Sequence, residues 1–178
     1  MSTRTMMSIQ EFERLPADGM RHELNHGELI TMPPPRFRHS AAVSALFLEL
    51  GNACRKTKQF RVYAELGCRL SADTIRQPDL ALVKSERLDQ IDPDGYLAGA
   101  PDIAIEVASP SNSQEEFEEK MSQYLDHGAL QVWVIYPKTR HVHIFEVGTS
   151  NARVLSESDS LTLDMLAGWH MPVLAIFE

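Results

Sequence analysis

Two periods of apolar residues alternate along the chain and predict where its helices and strands lie. Apolar residues recur at helical spacing over residues 39–56 and 114–127, which predicts two long helices. Ser8, with Glu11 as its capping-box partner, predicts a shorter helix over residues 9–15. The apolar stripes of the long helices consist of Val43, Leu46, Phe47, Leu50 and Cys54, and of Phe117, Met121, Tyr124 and Leu125.

Shorter apolar runs predict the strands. Residues 22–24 and 28–32 flank Asn25-His26-Gly27, which predicts a tight hairpin because Asn and Gly tolerate positive φ. The segment 137–140 predicts a second hairpin between two further apolar runs. The other predicted strands cover residues 61–66, 78–83, 102–108, 131–136 and 141–147, a position near Val154, and residues 161–163, before a C-terminal segment over 174–177.

The order of these elements describes a mixed β-sheet packed by helices, so the predicted fold class is α/β or α+β. Residues 92–95 are predicted to form a surface loop, and residues 109–113 a turn that caps the following helix. The chain has 178 residues, of which 43% are hydrophobic, enough for one compact core. We therefore expect one domain over residues 1–178.

The spacing of the cysteines and the hydropathy of the chain indicate the cellular compartment of the protein. Cys54 and Cys68 have neither CxxC nor Cys/His ligand spacing, so we expect no zinc site and no disulfide framework. No segment reaches the roughly 18 uninterrupted apolar residues of a membrane span, and the N-terminus carries polar and charged residues where a signal peptide would be apolar. These features predict a cytoplasmic protein without a membrane partner.

The formal net charge of -8 counts against a protein that coats nucleic acid through a broad basic face. It is compatible with a protein that holds a divalent cation, because such a site needs clustered carboxylates. The basic residues outside that cluster could still form one groove.

Glu106 is the most informative residue, because it lies within the apolar run 103–108. An ionised carboxylate buried there would cost several kcal/mol unless a cation or a full set of donors balanced it. The residues alone leave alternatives open. Glu106 could contribute to a metal site, lie at the open edge of the sheet, or pair with an arginine such as Arg76.

Asp79 places a second carboxylate at the start of an apolar strand. If its strand lies beside that of Glu106, the two acids meet, and a divalent cation would convert their repulsion into attraction. Oxygen ligands select a hard ion, hence magnesium or manganese. The alternative is that Asp79 caps a turn through its own backbone.

Lys120 is the candidate amine. On a helix it lies about 40° from Tyr124 and about 60° from Phe117, on the flank of the stripe that faces the sheet. Its ammonium can therefore reach inward. Alternatively, its charge extends to solvent over an apolar surface, or it pairs with Glu116 one turn earlier.

These residues form an ordered set that resembles the Uma family of restriction-endonuclease-like proteins. The set consists of Glu23, Pro78-Asp79, Glu106-Val107-Ala108-Ser109-Pro110, Lys120 and Tyr124. The resemblance runs nearly end to end, from the hairpin at residues 23–28 through Pro33 and His39 to residues 132–137 and the tail at 166–169.

The resemblance implies the PD-(D/E)XK nuclease fold, a mixed central sheet flanked by helices, with Asp79 and Glu106 as the metal-binding acids. One position departs from the standard motif. The lysine expected two residues after the acid is replaced by Ala108, so its role passes to Lys120, where the family pattern places a lysine.

Two further positions match the family. Glu23 matches an early glutamate that could complete the metal site and take part in catalysis, although it could instead pair with Arg21 or Arg61. His39 matches a histidine at the start of the long helix and is a candidate substrate-binding residue, although it could only cap that helix.

The resulting hypothesis is an endonuclease that hydrolyses DNA phosphodiester bonds with Mg²⁺ or Mn²⁺ and acts as a homodimer. The alternative is a non-catalytic interaction module that keeps the nuclease fold as a dimer. A third interpretation, an unrelated hydrolase using His22, His26 or His39, lacks a GxSxG or HExxH motif to support it.

Overall fold

The computed structural model describes residues 6–91, 93–109 and 113–178, and its elements alternate as the apolar pattern predicts. In chain order they are α1 (Ile9–Phe12), β1 (Arg21–Asn25), β2 (Glu28–Met32), α2 (Phe37–Thr57), β3 (Phe60–Ala64), β4 (Cys68–Arg69), β5 (Ile75–Arg76), β6 (Leu80–Lys84), β7 (Leu97–Ala98), β8 (Ile103–Val107), α3 (Gln114–Asp126), β9 (Gln131–Tyr136), β10 (His141–Glu146), β11 (Arg153–Leu155), β12 (Ser160–Thr162) and β13 (His170–Pro172). Short 3-10 helices cover Ser85–Gln90 and Val173–Ile176.

The central element is a six-stranded mixed sheet with the order β11-β10-β9-β8-β6-β3. Strands β8 and β9 run parallel, and the other neighbours in this sheet are antiparallel. A second sheet has the order β2-β1-β5-β4-β7, and β12 pairs with β13. The predicted mixed sheet flanked by helices is confirmed.

Alternation along the central strands directs side chains to two separate cores. Leu80, Ile103 and Ile105 pack against α2 and the C-terminal 3-10 helix. Val83 and Ala104 face the opposite side, where Tyr124 of α3 and residues of the second sheet cover them. This second face matters for function, because the same alternation directs Asp79 and Glu106 toward α3.

The first predicted hairpin is confirmed, with a two-residue turn between β1 and β2. His26 has φ 48° and Gly27 has φ 77°, so both central residues adopt the left-handed conformation. That geometry matches the twist of antiparallel strands. The backbone N–H of Gly27 also donates to the carbonyl of Asp73, which ties the turn to the loop between β4 and β5.

The helix predictions are correct in number but differ in detail. α1 ends at Phe12 rather than Leu15, because Pro16 disfavours helical backbone in the residue before it. α2 begins earlier than predicted, at Phe37 directly after Pro35 and Arg36. Phe47 was assigned to the buried stripe, yet 42% of its surface is exposed; Ala42 and Ala53 complete the buried face instead.

The sequence pattern missed the shortest strands. β4, β5, β7 and β13 have two or three residues each, too few to show a period of two. The C-terminal segment predicted over 174–177 is part of a 3-10 helix. Within the predicted loop 92–95 and the predicted turn 109–113, Asp92, Pro110, Ser111 and Asn112 lie outside the described residues. Within the described part of the chain, no helix is long and apolar enough to cross a membrane.

We expect Leu46→Ala to lower the free energy of unfolding by about 2 to 5 kcal/mol, because Leu46 is fully buried on the inner face of α2 and its truncation leaves a cavity. Leu48, two residues on, is 62% exposed and is the matched control. Leu48→Ala should change stability by less than about 0.5 kcal/mol. Urea denaturation monitored by circular dichroism measures both values, and equal losses would contradict the assignment of the buried face.

Candidate functional site

Asp79 and Glu106 lie opposite each other at one end of the central sheet. β6 pairs with β8 through Leu80 and Ile105, so extending the antiparallel register by one residue places Asp79 across from Glu106. The Asp79 Oδ2 accepts a hydrogen bond of 2.7 Å from the backbone N–H of Val107. Asp79 therefore binds the neighbouring strand rather than capping its own turn.

Glu106 projects from β8 toward α3 and is 5% exposed. The Nζ of Lys120 lies 2.9 Å from its Oε1, and the Tyr124 hydroxyl donates to the same oxygen at 2.9 Å. Lys120 and Tyr124 are one helical turn apart on α3, which lets both reach one carboxylate. Glu106 is thus paired with a lysine and not with Arg76.

Glu23 joins the same cluster from β1. Its Oε1 lies 2.9 Å from the Nζ of Lys120 and accepts a hydrogen bond of 3.0 Å from the backbone N–H of Gln77. Its Oε2 accepts from Arg76 at 3.0 Å. Glu23 is 1% exposed, and the structure pairs it with Lys120 and Arg76, while Arg21 lies 4.0 Å away.

Asp79 has two further partners at the mouth of the site. Arg21 Nη1 donates to its Oδ1 at 2.6 Å, and the Nη2 of Arg21 also binds the carbonyl of Gln77. His39 Nε2 lies 3.1 Å from Asp79 Oδ2. His39 is the third residue of α2, and Arg36 occupies the N-cap position. His39 therefore does not cap the helix, and its side chain contacts Asp79 instead.

Burial and charge shift the pKa values of these groups in different directions. Burial raises the pKa of Glu106; Lys120 opposes this shift, while the charges of Asp79 and Glu23 reinforce it. Burial would also raise the pKa of Asp79, but the hydrogen bond from His39 and the charge of Arg21 hold it well below its usual value. Burial would lower the pKa of Lys120, but Glu106 and Glu23 raise it overall, so Lys120 is an ammonium ion.

A chain of polar contacts extends from Glu23 to the surface. Arg76 Nε donates to Gln123 Oε1 at 2.7 Å, and Gln123 Nε2 donates to Asn25 Oδ1 at 2.8 Å. Asn25 in turn donates to Glu119 at 3.0 Å. These contacts fix the guanidinium of Arg76, which is 2% exposed, beside Glu23, the carboxylate that pairs with Lys120.

Three residues of the cluster are not predicted as site residues: Arg21 and Arg76 are predicted only as possible ion-pair partners, of Glu23 and Glu106, and Gln123 is not predicted in any role. A signal existed for Arg21, because it lies two residues before Glu23 on a predicted hairpin and therefore shares its face. No comparable signal existed for Arg76 or Gln123. Their partners are 53 and 98 residues away in sequence and meet them only through the fold.

The remaining candidates lie elsewhere or have other partners. His22 lies 2.9 Å from the Thr31 hydroxyl and 3.1 Å from Asp18, and His26 has a side chain that is 63% exposed. Glu116 completes the capping box with Ser113 at the start of α3 instead of pairing with Lys120. Of the three histidines of the hydrolase interpretation, the structure places His39 at the acid cluster.

The cluster opens into a cleft of about 620 Å³. Asp79, Glu106 and Lys120 line it, together with Arg21 and His39. One wall is the segment between β2 and α2, which contains three consecutive prolines at 33–35. The cleft gives a ligand access to acids that are otherwise almost fully buried.

The donor set of the cleft fits a small hard cation. Magnesium is usually held by one or two carboxylates and keeps several waters, and Asp79 and Glu106 both face this cleft. Within residues 6–91, 93–109 and 113–178, no group of three or more His, Cys, Asp or Glu side chains is arranged to hold a metal ion. A cation held by Asp79 and Glu106 alone would take its other ligands from water or substrate.

The family comparison covers almost the whole chain. Residues 9–174 match the model of the Uma2 family, which carries the description "Putative restriction endonuclease". The chain belongs to this family. The predicted resemblance is thereby confirmed, and the matched range contains every residue of the Uma2 site described above. None of the curated proteins matches the chain.

A solved structure shares the fold of this Uma2 protein. It is described as "a putative nuclease belonging to DUF820" from Anabaena variabilis. The two chains are 24% identical and superpose with a TM-score of 0.83, over 96% of this chain and 97% of the other. At that identity the likeness establishes the fold, and it confirms the predicted fold class.

We expect Arg76→Met to lower the free energy of unfolding by about 3 to 5 kcal/mol, because it removes a buried cation and leaves Glu23 underpaired. Arg140, which pairs at 3.0 Å with Glu157 where both side chains are half exposed, is the matched control. Arg140→Met should cost about 0 to 1 kcal/mol. Chemical denaturation measures both losses, and adding Glu23→Gln to Arg76→Met should recover part of the larger one. A loss no greater than that of the control would disprove the role of Arg76.

Proposed function

We propose that this Uma2 protein is a metal-dependent endonuclease that hydrolyses DNA phosphodiester bonds, with Asp79, Glu106 and Lys120 at its reaction centre. The observation that carries the proposal is the position of the Lys120 ammonium, 2.9 Å from Glu106 and 2.9 Å from Glu23, in a cleft that Asp79 also lines. Membership in a family described as restriction endonucleases supports the same reaction class. Residues 1–178 would act as one domain.

Asp79 and Glu106 are the residues that would hold Mg²⁺ or Mn²⁺. When bound, such an ion supplies charge neutralisation at the phosphate and lowers the pKa of a coordinated water. Burial, reinforced by the charges of Asp79 and Glu23, raises the pKa of Glu106, and a cation bound between Glu106 and Asp79 would offset this effect. Arg21 would have to release Asp79 Oδ1 for a cation to bind there.

Lys120 would act through its charge. Its raised pKa keeps it protonated at neutral pH, so it is suited to stabilise negative charge on the phosphate rather than to remove a proton. Glu23 and Arg76 fix the position of the ammonium from the side opposite the cleft opening. His39 lines the cleft and would contact the substrate near Asp79.

A non-catalytic module that binds a partner as a dimer is the second candidate. One observation favours it: Arg21, Arg76 and Lys120 already pair with Asp79, Glu23 and Glu106, so the three acids have three cationic partners from the protein itself. A homodimer would suit both functions, because two sites related by a twofold axis can cut both strands of a duplex. We place either function in the cytoplasm.

We expect Asp79→Asn, Glu106→Gln and Lys120→Met each to reduce the rate of DNA cleavage by at least about a hundredfold, because each removes a charge from the reaction centre. Cleavage of plasmid and single-stranded DNA in Mg²⁺ or Mn²⁺, followed on gels, measures the rate. The matched control is Glu115→Gln, an exposed acid in the first turn of α3, which should cut at the parental rate. A folded Asp79→Asn protein that cut DNA as fast as the parent would end this assignment.

Metal binding can be tested without cleavage. Isothermal titration with Mn²⁺ should show a site in the parent protein that Glu106→Gln and Asp79→Asn each weaken at least tenfold, because each removes a carboxylate ligand. Glu115→Gln is again the control. If the parent protein binds no Mn²⁺ and cuts no DNA, the non-catalytic module becomes the better explanation.

A further inference from the structure

A second cleft of about 1260 Å³ adjoins the candidate site, and the proposed chemistry does not use it. It lies between the start of α2, the first two turns of α3 and the hairpin formed by β9 and β10. Arg36, His39 and Ser109 line both clefts. Because His39 also contacts Asp79, a ligand that fills this groove would contact a neighbour of the acid cluster.

The groove contains a continuous row of aromatic rings. The ring centroids of Phe117 and Tyr136 are 6.5 Å apart, those of Tyr136 and His143 are 4.6 Å apart, and those of His143 and Phe145 are 6.5 Å apart. Tyr136, His143 and Phe145 are each partly exposed. The neighbouring rings are tilted against one another, and together they give the groove a partly exposed aromatic surface against which planar groups can pack.

One aromatic side chain of the groove is almost fully exposed to solvent. Phe37, the first residue of α2, is 87% exposed and lines the groove. A single exposed ring is ordinary, but Phe37 adds to the partly exposed rings of the groove, and a contiguous apolar patch is typical of a ligand-binding groove. Arg36 and Arg38 flank it in the chain.

The charge of the groove is opposite to that of the whole chain. Arg36, Arg38 and Lys138 line it, and Glu118 is the one carboxylate among its described lining residues. The chain as a whole carries a formal net charge of -8. A local excess of cations on an acidic protein is complementary to an anionic ligand.

We propose that this groove binds an unpaired stretch of DNA strand and leads it into the acid cluster. Cations that follow a backbone, combined with aromatic faces on which bases stack, are the two features by which proteins bind single strands. The face of a base is available to Phe37 only where it is not stacked inside a duplex. This inference rests on the proposed nuclease function and deepens it by assigning the substrate as single-stranded or locally opened DNA.

Fluorescence anisotropy with labelled oligonucleotides in EDTA tests the groove while no strand is cut. The parent protein should bind a single strand more tightly than a blunt duplex of the same sequence. Phe37→Ala should weaken single-strand binding at least about fivefold through the lost stacking. The matched control is Phe47→Ala, on the same helix and 42% exposed but not among the described lining residues of the groove.

Salt dependence tests the cations separately. Arg38→Ala should reduce the slope of log affinity against log salt by about 0.7, the value for one lost contact to a single-strand phosphate. Arg55→Ala is the control, since Arg55 is exposed on the last turn of the same helix, roughly 25 Å away. A slope unchanged by Arg38→Ala would argue against a strand in the groove.

The outcomes separate this inference from the function on which it rests. If the parent protein cuts DNA in Mg²⁺ but Phe37→Ala binds single strands normally, or a blunt duplex binds more tightly, the groove proposal is wrong and the nuclease stands. If sedimentation shows a dimer that Phe37→Ala dissociates with strand affinity unchanged, the groove joins two copies of the chain, and the proposal is also wrong. If the parent protein neither binds nor cuts DNA, both proposals are wrong.

Discussion

The buried ammonium of Lys120 is the interaction on which the site depends. It lies 2.9 Å from both Glu106 and Glu23, carboxylates that belong to different sheets. Burying either acid alone would cost several kcal/mol, and burying both would add their mutual repulsion. Lys120 offsets these costs at one point, and in doing so it joins α3, the central sheet and the second sheet. Removing it would leave Glu106 without the ammonium that it pairs with and Glu23 dependent mainly on Arg76.

The surrounding polar residues follow from that constraint. Arg76 neutralises the second oxygen of Glu23, and Gln123 and Asn25 hold Arg76 in turn. Arg21 and His39 act similarly on Asp79, but nearer the opening of the cleft. The inner side of the cluster is therefore paired through buried contacts, whereas the partners of Asp79 lie at the cleft, where a ligand can reach them.

The overall charge of the protein is a poor guide to what the site binds. A net charge of -8 weakens long-range attraction to nucleic acid. Three cations, Arg36, Arg38 and Lys138, nevertheless line the second cleft beside aromatic side chains. Short-range contacts can therefore supply affinity for a strand although the average field of the molecule opposes it. A strand bound in this way would be confined to the groove, and the rest of the protein surface could remain acidic.

Much of the fold was predictable from the sequence, because the long elements have strong periods. The boundaries of β9 agree with the predicted strand, and α3 differs from its prediction by one residue. Two-residue strands such as β4 and β5 could not be predicted, because they form only when β1 and β7 supply hydrogen bonds on either side. The exposure of Phe47 was also unpredictable, since helical spacing defines a stripe but not which of its edges the core covers.

The sequence by itself determined the kinds of groups at the site: an acid at the start of one apolar strand, an acid within another, and a lysine on the sheet-facing flank of the next helix. Each of these follows from local burial and period, which a linear pattern records. Only the tertiary structure decided how they pair. The register of β6 against β8 sets Asp79 opposite Glu106, and the packing of the second sheet brings Glu23 and Arg76 to Lys120. The physical reason is that charge pairing depends on distances of a few ångströms between residues far apart in the chain, and no local pattern encodes such distances.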